Sequence, residues 1–170
     1  MGAMFPLLRR HWPVAAVFAL ALTADQLTKV WVRAALSLGE SWPRDGFFRL
    51  THVGNTGSAF GLFGNANNVL IIAAIIGVGV LLAYYRSHPS PGPLVKVSLG
   101  LLLAGAIGNL IDRLTVGHVT DFIDVGPWYI FNIADASIVC GVIALGASLL
   151  LTPQEPRRPT DAPDAGDDPA

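Results

Sequence analysis

Four long apolar stretches constrain the fold of this chain more than any other feature of its sequence. They cover residues 13–38, 69–85, 94–114 and 128–151, and each is close to the ~20 residues that a helix needs to cross the hydrocarbon core of a bilayer. Of the 170 residues, 52% are hydrophobic and only 14% are charged, which is unusual for a soluble domain. The sequence therefore predicts an all-α membrane protein, a bundle of four transmembrane helices in a single domain, residues 1–151.

The distribution of basic residues predicts an orientation for this bundle. Four spans place both termini on one side, and arginine and lysine residues close to the spans favour the cytoplasmic face. With both termini inside, the inner basic residues are Arg9, Arg10, Arg86, Lys96, Arg157 and Arg158, and the outer ones are Arg33, Arg44, Arg49 and Arg113. We therefore expect cytoplasmic termini. Residues 152–170 are rich in Pro, Asp and Ala and have little to bury, so they are predicted to form a disordered cytoplasmic tail.

The N-terminal stretch has a second interpretation, a cleavable secretory signal. Arg9 and Arg10 precede an apolar run at residues 13–24, and a small-residue triplet lies at residues 19–21. We favour a permanent span, because apolar sequence resumes directly after Lys29 instead of giving way to a polar mature region.

The composition disfavours several other functions. A net charge of -1 provides no basic field for nucleic acid, so no nucleic-acid partner is expected. Cys140 is the only cysteine, and the four histidines are scattered without a His-Glu-x-x-His helix, so no metal site is predicted. A serine nucleophile with Lys29 as its base stays open at Ser58 or Ser137, although neither serine lies in a recognisable nucleophile turn.

Polar side chains within the predicted spans gather near the outer face of the membrane. Asp25 and Lys29 lie ~18 and ~24 Å along the first span, counted from its predicted start. Further polar residues lie at the end of the third span and the beginning of the fourth: Asn109, Asp112, Asn132 and Asp135. An aspartate at the centre of a span costs ~2.5–3.5 kcal/mol on insertion scales, so such residues are presumed to serve a function.

Two pairs within this group have a structural interpretation as well as a functional one. Asp25 and Lys29 are four residues apart, so they can form an ion pair on one helix face, with Lys29 extending outward to the interface. Asp112 and Arg113 at the end of the third span can anchor the helix and hold a loop. For this second pair we favour a supporting role over a chemical one.

Asp121 and Asp135 stand apart from these pairs. Asp121 follows a Gly117-containing return and is predicted to lie on a short extended segment at the membrane surface, while Asp135 is predicted one turn into the fourth span with no cation beside it in sequence. Two carboxyl groups that approach closely share one proton, so one can activate water while the other donates to a carbonyl oxygen. Spacing alone also allows that Asp121 only caps a local turn.

Five ordered motifs resemble those of the type II, or prolipoprotein, signal peptidases. They are residues 25–29 (DQLTK), 55–60 (NTGSAF), 108–113 (GNLIDR), 117–122 (GHVTDF) and 131–135 (FNIAD). The resemblance covers all four spans and leaves the two ends of the chain unmatched. It implies a bacterial inner-membrane aspartic peptidase with its active site at the outer face.

The resemblance also implies roles for individual residues. Asp121 and Asp135 correspond to the catalytic pair. The residues that shape the site or bind the substrate are Asn55, Gly57, Asn109, Arg113 and Asn132, and the structural or positioning residues are Asp25, Lys29 and Asp112. No metal or organic cofactor is implied.

The substrates implied are prolipoproteins that carry diacylglycerol on a cysteine, cut just before that cysteine, with inhibition by globomycin. Membrane lipids are expected as further partners, and the enzyme is expected to be a monomer. The family also implies a small extracytoplasmic β-sheet and a short interfacial helix in the loop between the first two spans, where residues 47–53 and 59–63 are compatible with extended structure.

The alternative outside enzymes is a small proton- or ion-coupled carrier, because acids within spans also mark proton paths. A carrier needs carboxylates near the midplane with access from both sides. The cytoplasmic part of the fourth span, residues 142–151, contains nothing titratable, so the sequence favours the peptidase.

Overall fold

The computed structural model describes residues 4–57, 66–88 and 91–151. Its helices are α1 (Met4–Ala35), α2 (Ala66–Ser87), α3 (Pro93–Thr115) and α4 (Ile133–Leu151). Each contains a segment long and apolar enough to cross a membrane. The chain is thus a multi-pass membrane protein with four candidate spans, and the predicted helical membrane fold is confirmed.

The end of α1 and the beginning of α4 fall inside the predicted spans, whereas the other helix bounds extend to or beyond them. Helix α1 runs through Pro13 and ends at Ala35, before a turn in which Gly39 has a φ of 84°. Helix α4 begins at Ile133, five residues later than predicted, because the preceding chain pairs with an extended segment: the backbone N–H of Ile123 donates to the carbonyl oxygen of Phe131 over 2.7 Å. Hydrophobicity alone could not separate these apolar residues from the helix.

Helix α3 is the centre of the bundle and packs against all three other helices, while α2 packs mainly against α3. Small residues allow the closest approaches. A Cβ atom at Gly105 would overlap the carbonyl oxygen of Ala134 on α4, and one at Gly100 would lie 2.8 Å from Cβ of Val17 on α1. The bundle therefore joins α1, α3 and α4 tightly and leaves α2 more exposed to lipid.

A three-stranded antiparallel sheet lies at the end of the bundle where α1 and α3 end and α4 begins. Its strands are β1 (Ser41–Trp42), β2 (Arg49–Asn55) and β3 (Val119–Asp124), in the order β1-β2-β3. The sheet is confirmed, but its expected location was incomplete: β3 comes from the connection between α3 and α4. Residues 36–57 contain no helix. Three predicted segments lie outside the described residues: residues 58–60 of the second motif, residues 59–63, and the tail from residue 152.

Candidate active site

Asp121 is held in the middle of β3. Its strand position pairs with Val53 of β2, which confirms the extended segment predicted for it. Only 2% of Asp121 is exposed. Its two carboxylate oxygens accept hydrogen bonds from two amides, Asn132 Nδ2 at 2.6 Å and Asn55 Nδ2 at 2.9 Å. The side chain is therefore buried at the junction of the sheet and the helices.

Asp135 lies in the first turn of α4, near the start of the span as predicted, and it completes a reciprocal cap. The Asn132 side chain accepts a hydrogen bond from the backbone N–H of Asp135 over 2.9 Å, and Asp135 Oδ2 accepts one from the backbone N–H of Asn132 over 3.3 Å. This is the capping-box arrangement, in which two residues three apart satisfy each other's backbone donors. The positive end of the α4 helix dipole also lies beside the Asp135 side chain.

Two asparagines connect the two aspartates. Asn109 Nδ2 donates to Asp135 Oδ1 over 2.7 Å, and Asn132, which is fully buried, donates both to Asp121 and to Asn109 Oδ1. Asp121 and Asp135 also interact electrostatically. The predicted pair is therefore brought together, although the chain between its members turns back on itself through residues 125–132.

A buried charge cluster, formed by Asp25, Lys29 and Asp112, lies beside this pair. Lys29 Nζ lies 3.0 Å from Asp25 Oδ2 and 3.4 Å from Asp112 Oδ2, and it donates to Asn109 Oδ1 over 2.9 Å. The ion pair of Asp25 and Lys29 is present, but the expected outward extension of Lys29 is wrong, because none of its side chain is exposed. Two carboxylate oxygens and one amide oxygen surround the Lys29 ammonium and compensate its charge at this buried position.

Asp25 also contacts the start of α4. Its Oδ1 atom accepts a hydrogen bond from the backbone N–H of Ala134 over 2.9 Å. Helix α1 is therefore tied to the free N–H groups of the helix that carries Asp135. Gln26 adds to this contact, since its side-chain amide donates to Asp25 Oδ2 and to the carbonyl oxygen of Gly108.

The electrostatics of Asp121 suit a proton-carrying group. The pKa of Asp121 is raised to about 6, chiefly by burial and also by the neighbouring Asp135 charge, while the hydrogen bonds from Asn55 and Asn132 and the Lys29 charge oppose this rise. A carboxyl group with this pKa can hold or release a proton near neutral pH.

The two aspartates open into different cavities. A cavity of about 440 Å³ is lined by Asp121, Asn55, Trp128 and Tyr129, and a second, of about 400 Å³, is lined by Asp135, Asn109, Arg113 and apolar residues of α2, α3 and α4. The guanidinium of Arg113 interacts electrostatically with both aspartates, and its Nε atom is buried without a hydrogen-bond partner among the described residues.

Gly57 shapes the end of β2. It has a φ of +74°, and its backbone N–H donates to Asn55 Oδ1 over 2.8 Å. A Cβ atom there would overlap Leu70 of α2. Glycine therefore allows both the turn and the close approach to α2 that orients Asn55.

Two polar residues next to Asp121 were not identified from the sequence. Arg33 Nη1 donates to Thr120 Oγ1 over 2.8 Å and lies 3.3 Å from Asp112 Oδ1. Arg33 was counted only as an outer basic residue, yet its position four residues after Lys29 puts it on the same face of α1. That spacing was the available signal. For Thr120 the sequence offers no such spacing, because its side-chain partner Arg33 lies 87 positions away in the chain.

No group of three or more histidine, cysteine, aspartate or glutamate side chains within the described ranges is arranged to hold a metal ion. The polar atoms around the two aspartates are instead amide and cationic donors. These suit carboxylates and peptide groups, not a cation.

Comparison with known proteins identifies the family. The family model for signal peptidase (SPase) II matches residues 17–151. The chain belongs to the signal peptidase II family. It is thus an enzyme of aspartic peptidase family A8, as the five motifs indicated, and the carrier alternative is not supported.

Individual relatives of this signal peptidase agree. The lipoprotein signal peptidase of Moorella thermoacetica is 45% identical over 147 residues, which cover 86% of this chain and 98% of the relative. That of Dehalococcoides mccartyi is 44% identical over 131 residues, 75% of this chain and 82% of the relative. A bacterial membrane enzyme solved by the in meso method at 1.9 Å superposes with a TM-score of 0.75 and 32% identity, over 81% of this chain and 92% of that one.

Proposed function

We propose that this peptidase removes signal peptides from diacylglyceryl-modified prolipoproteins, cutting just before the lipidated cysteine, with Asp121 and Asp135 as its catalytic pair. The observation that carries the proposal is the shared contact of Asn132, which donates to Asp121 and caps the helix turn that holds Asp135. Lipoprotein signal peptidases are the relatives named above, and they support the substrate class.

The chemistry follows from one proton shared by two carboxyl groups. The unprotonated carboxylate removes a proton from water, and the water oxygen attacks the scissile carbonyl carbon while the protonated carboxyl donates to the carbonyl oxygen. The carboxyl group that took the proton from water then gives it to the amine nitrogen, while the other carboxylate takes a proton back from a hydroxyl of the intermediate. The C–N bond breaks, the carbonyl re-forms as a carboxylic acid, and the pair again holds one proton. The Asn55, Asn109 and Asn132 amides keep the carboxyl groups oriented throughout, and no cofactor takes part.

The two cavities supply a path for the substrate. The groove beside Asp135 has small apolar residues of α2, namely Ala73, Ala74 and Gly77, below the polar atoms of Asn109 and Arg113. It suits an apolar signal helix or an acyl chain lying in the bilayer. The cavity beside Asp121, with Trp128 and Tyr129, suits the polar chain that follows the cysteine. The scissile bond would then lie where the two cavities meet the aspartates.

We further propose that the sheet end of the bundle faces outward from the bacterial inner membrane and that both termini are cytoplasmic. The excess of basic residues on the opposite side supports this orientation, and so does the substrate, whose modified cysteine lies at the outer surface. Membrane lipids would surround the apolar faces. A monomer is sufficient for the site, because every residue assigned to it comes from one chain.

The test is incubation of the purified protein, in detergent or bilayer, with a diacylglyceryl-modified precursor, with and without globomycin and with a chelator present. We expect cleavage that globomycin blocks and the chelator leaves unchanged. Asp121→Asn and Asp135→Asn should each lose at least ~100-fold in kcat, because an amide keeps the shape but cannot exchange the proton. Asp45→Asn, in an exposed loop, is the matched control and should keep full activity. Normal turnover by either variant of the pair would contradict the assignment.

A further inference from the structure

Among the described residues, Arg33 is a cation that joins the buried charge cluster through Asp112 and that the roles described above do not use. It lies in the last turn of α1, and 25% of its side chain is exposed. It contacts neither Asp121 nor Asp135 directly, but both of its polar partners belong to the segments that hold Asp121 in place.

The contacts of Arg33 fix the strand residue directly before Asp121. Its Nη1 atom donates to the Thr120 hydroxyl over 2.8 Å and to Asp112 Oδ1 over 3.3 Å. Asp112 Oδ2 in turn accepts the backbone N–H of Thr120 over 2.8 Å. Thr120 is fully buried. These hydrogen bonds hold its side chain against α1 and its backbone against α3. Because adjacent strand residues share one rigid backbone, a shift of Thr120 would also move Asp121.

The charge of Arg33 also balances the cluster. The charged groups linked to the pair, directly or through one another, by ion pairs and electrostatic interactions are Asp25, Lys29 and Arg33 on α1, Asp112 and Arg113 on α3, Asp121 on β3 and Asp135 on α4. Strand β2 contributes the amide of Asn55 and no charge to Asp121. With all acids ionised, three cations and four anions leave a net charge of -1 within this set. One shared proton makes the set neutral, which is the state that a site shielded from water favours.

We propose that Arg33 is a positioning residue of the reaction: it fixes the strand position of Asp121 through Thr120 and supplies the charge that leaves one proton on the catalytic pair. The proposal rests on the proposed function of that pair. Loss of Arg33 therefore has two separable effects, a loosened Asp121 and a more negative cluster that holds its protons to higher pH.

Four variants separate these effects by kcat, KM and the pH profile of kcat/KM. Arg33→Met should lower kcat ~10-fold or more with little change in KM, and should move the profile to higher pH by about half a unit. Thr120→Val removes only the hydroxyl, so it should lower kcat without moving the profile. Arg33→Lys keeps the charge and should keep the wild-type profile. Arg44→Met removes a positive charge from an exposed loop and should leave kcat, KM and the pH profile unchanged.

Thermal unfolding of the same variants separates positioning from simple stability. If Arg33→Met only lowers the Tm and keeps the wild-type kcat and profile, Arg33 is a structural anchor and the proposal is wrong. The isosteric Thr120→Val variant gives an independent test if Arg33→Met folds poorly, and a wild-type kcat for it would also overturn the positioning role. Turnover by Asp121→Asn would overturn the catalytic pair and this proposal together.

Discussion

Replacement of Asn55 by alanine tests the proton-sharing pair through its pH dependence. The Asn55 amide donates to Asp121 Oδ2 over 2.9 Å, which favours the charged carboxylate and lowers the pKa of Asp121. Without that donor, the pKa of Asp121 should rise. The proposed reaction requires one proton on the pair, so activity should fall on the alkaline side when that proton is lost. The alkaline limb of the kcat/KM profile should therefore move to higher pH.

The size of the shift follows from the exposure of Asn55. A hydrogen bond to a charged group contributes ~1.5–3 kcal/mol, and one pKa unit corresponds to ~1.4 kcal/mol. Asn55 is exposed at the end of β2, so water replaces part of the lost interaction, and the low end of this range or less applies. We expect a shift of ~0.5–1 pH unit. The limb belongs to the pair as a whole, so the shift is read as an apparent pKa.

The assay is cleavage of a lipid-modified precursor between about pH 5 and pH 9, with kcat/KM fitted to a bell-shaped profile. Asn55→Ala also removes the acceptor for the backbone N–H of Gly57, and Asn55→Asp controls for this. Aspartate keeps an acceptor but adds a negative charge near Asp121, so its alkaline limb should move further upward than that of the alanine variant. An unchanged limb in both variants would refute the assignment of the shared proton to Asp121.

Three further predictions concern the supports of the site. Gly105→Ala should lower the free energy of unfolding by ~1–3 kcal/mol, because its new methyl group would overlap the Ala134 carbonyl. Gly77→Ala, where the new methyl group would meet open space, should be tolerated. Thermal unfolding in detergent compares the two variants. Lys29→Ala should lower the Tm more strongly than Gly105→Ala, because it leaves buried carboxylates without their cation. The folded fraction of this variant should keep residual activity. Complete inactivity of a well-folded variant would show that Lys29 has a direct role in the reaction. Hydrogen bonds from the Thr51 hydroxyl and then from Arg49 lower the pKa of Asp124, so its stabilising effect is present above the unfolded-state pKa and is lost as the pH falls through the lower folded-state value. Asp124→Asn should therefore weaken the decline of Tm on acidification, as measured by unfolding scans across that range.

The sequence predicted the helices and named the residues of the candidate site, because both inferences depend on composition and local order. Apolar length locates a span wherever the surrounding chain lies, and the Asn132-Ile133-Ala134-Asp135 motif contains the signal for a capping box, two residues three apart at a helix start. That signal would also have put the beginning of α4 at residue 133. The contacts of Arg33 with Thr120, and of Asp25 with the backbone of Ala134, join residues 87 and 109 positions apart. No local pattern encodes such contacts, since they depend on how α1 packs against the rest of the bundle.

The capping box gives the two aspartates different surroundings, and this difference bears on which of them keeps the proton. Asp135 lies at a helix N-terminus, accepts hydrogen bonds from Asn109 and from the backbone N–H of Asn132, and is partly open to the groove beside Arg113. The helix N-terminus and both hydrogen bonds direct donors at the Asp135 side chain. Asp121 is almost completely buried on a strand without a helix terminus, and its pKa is raised to about 6, chiefly by burial. We therefore propose that Asp121 is the donor to the scissile carbonyl and that Asp135 is the base. This division explains why a change at Asn55, which contacts only Asp121 of the pair, should move the alkaline limb.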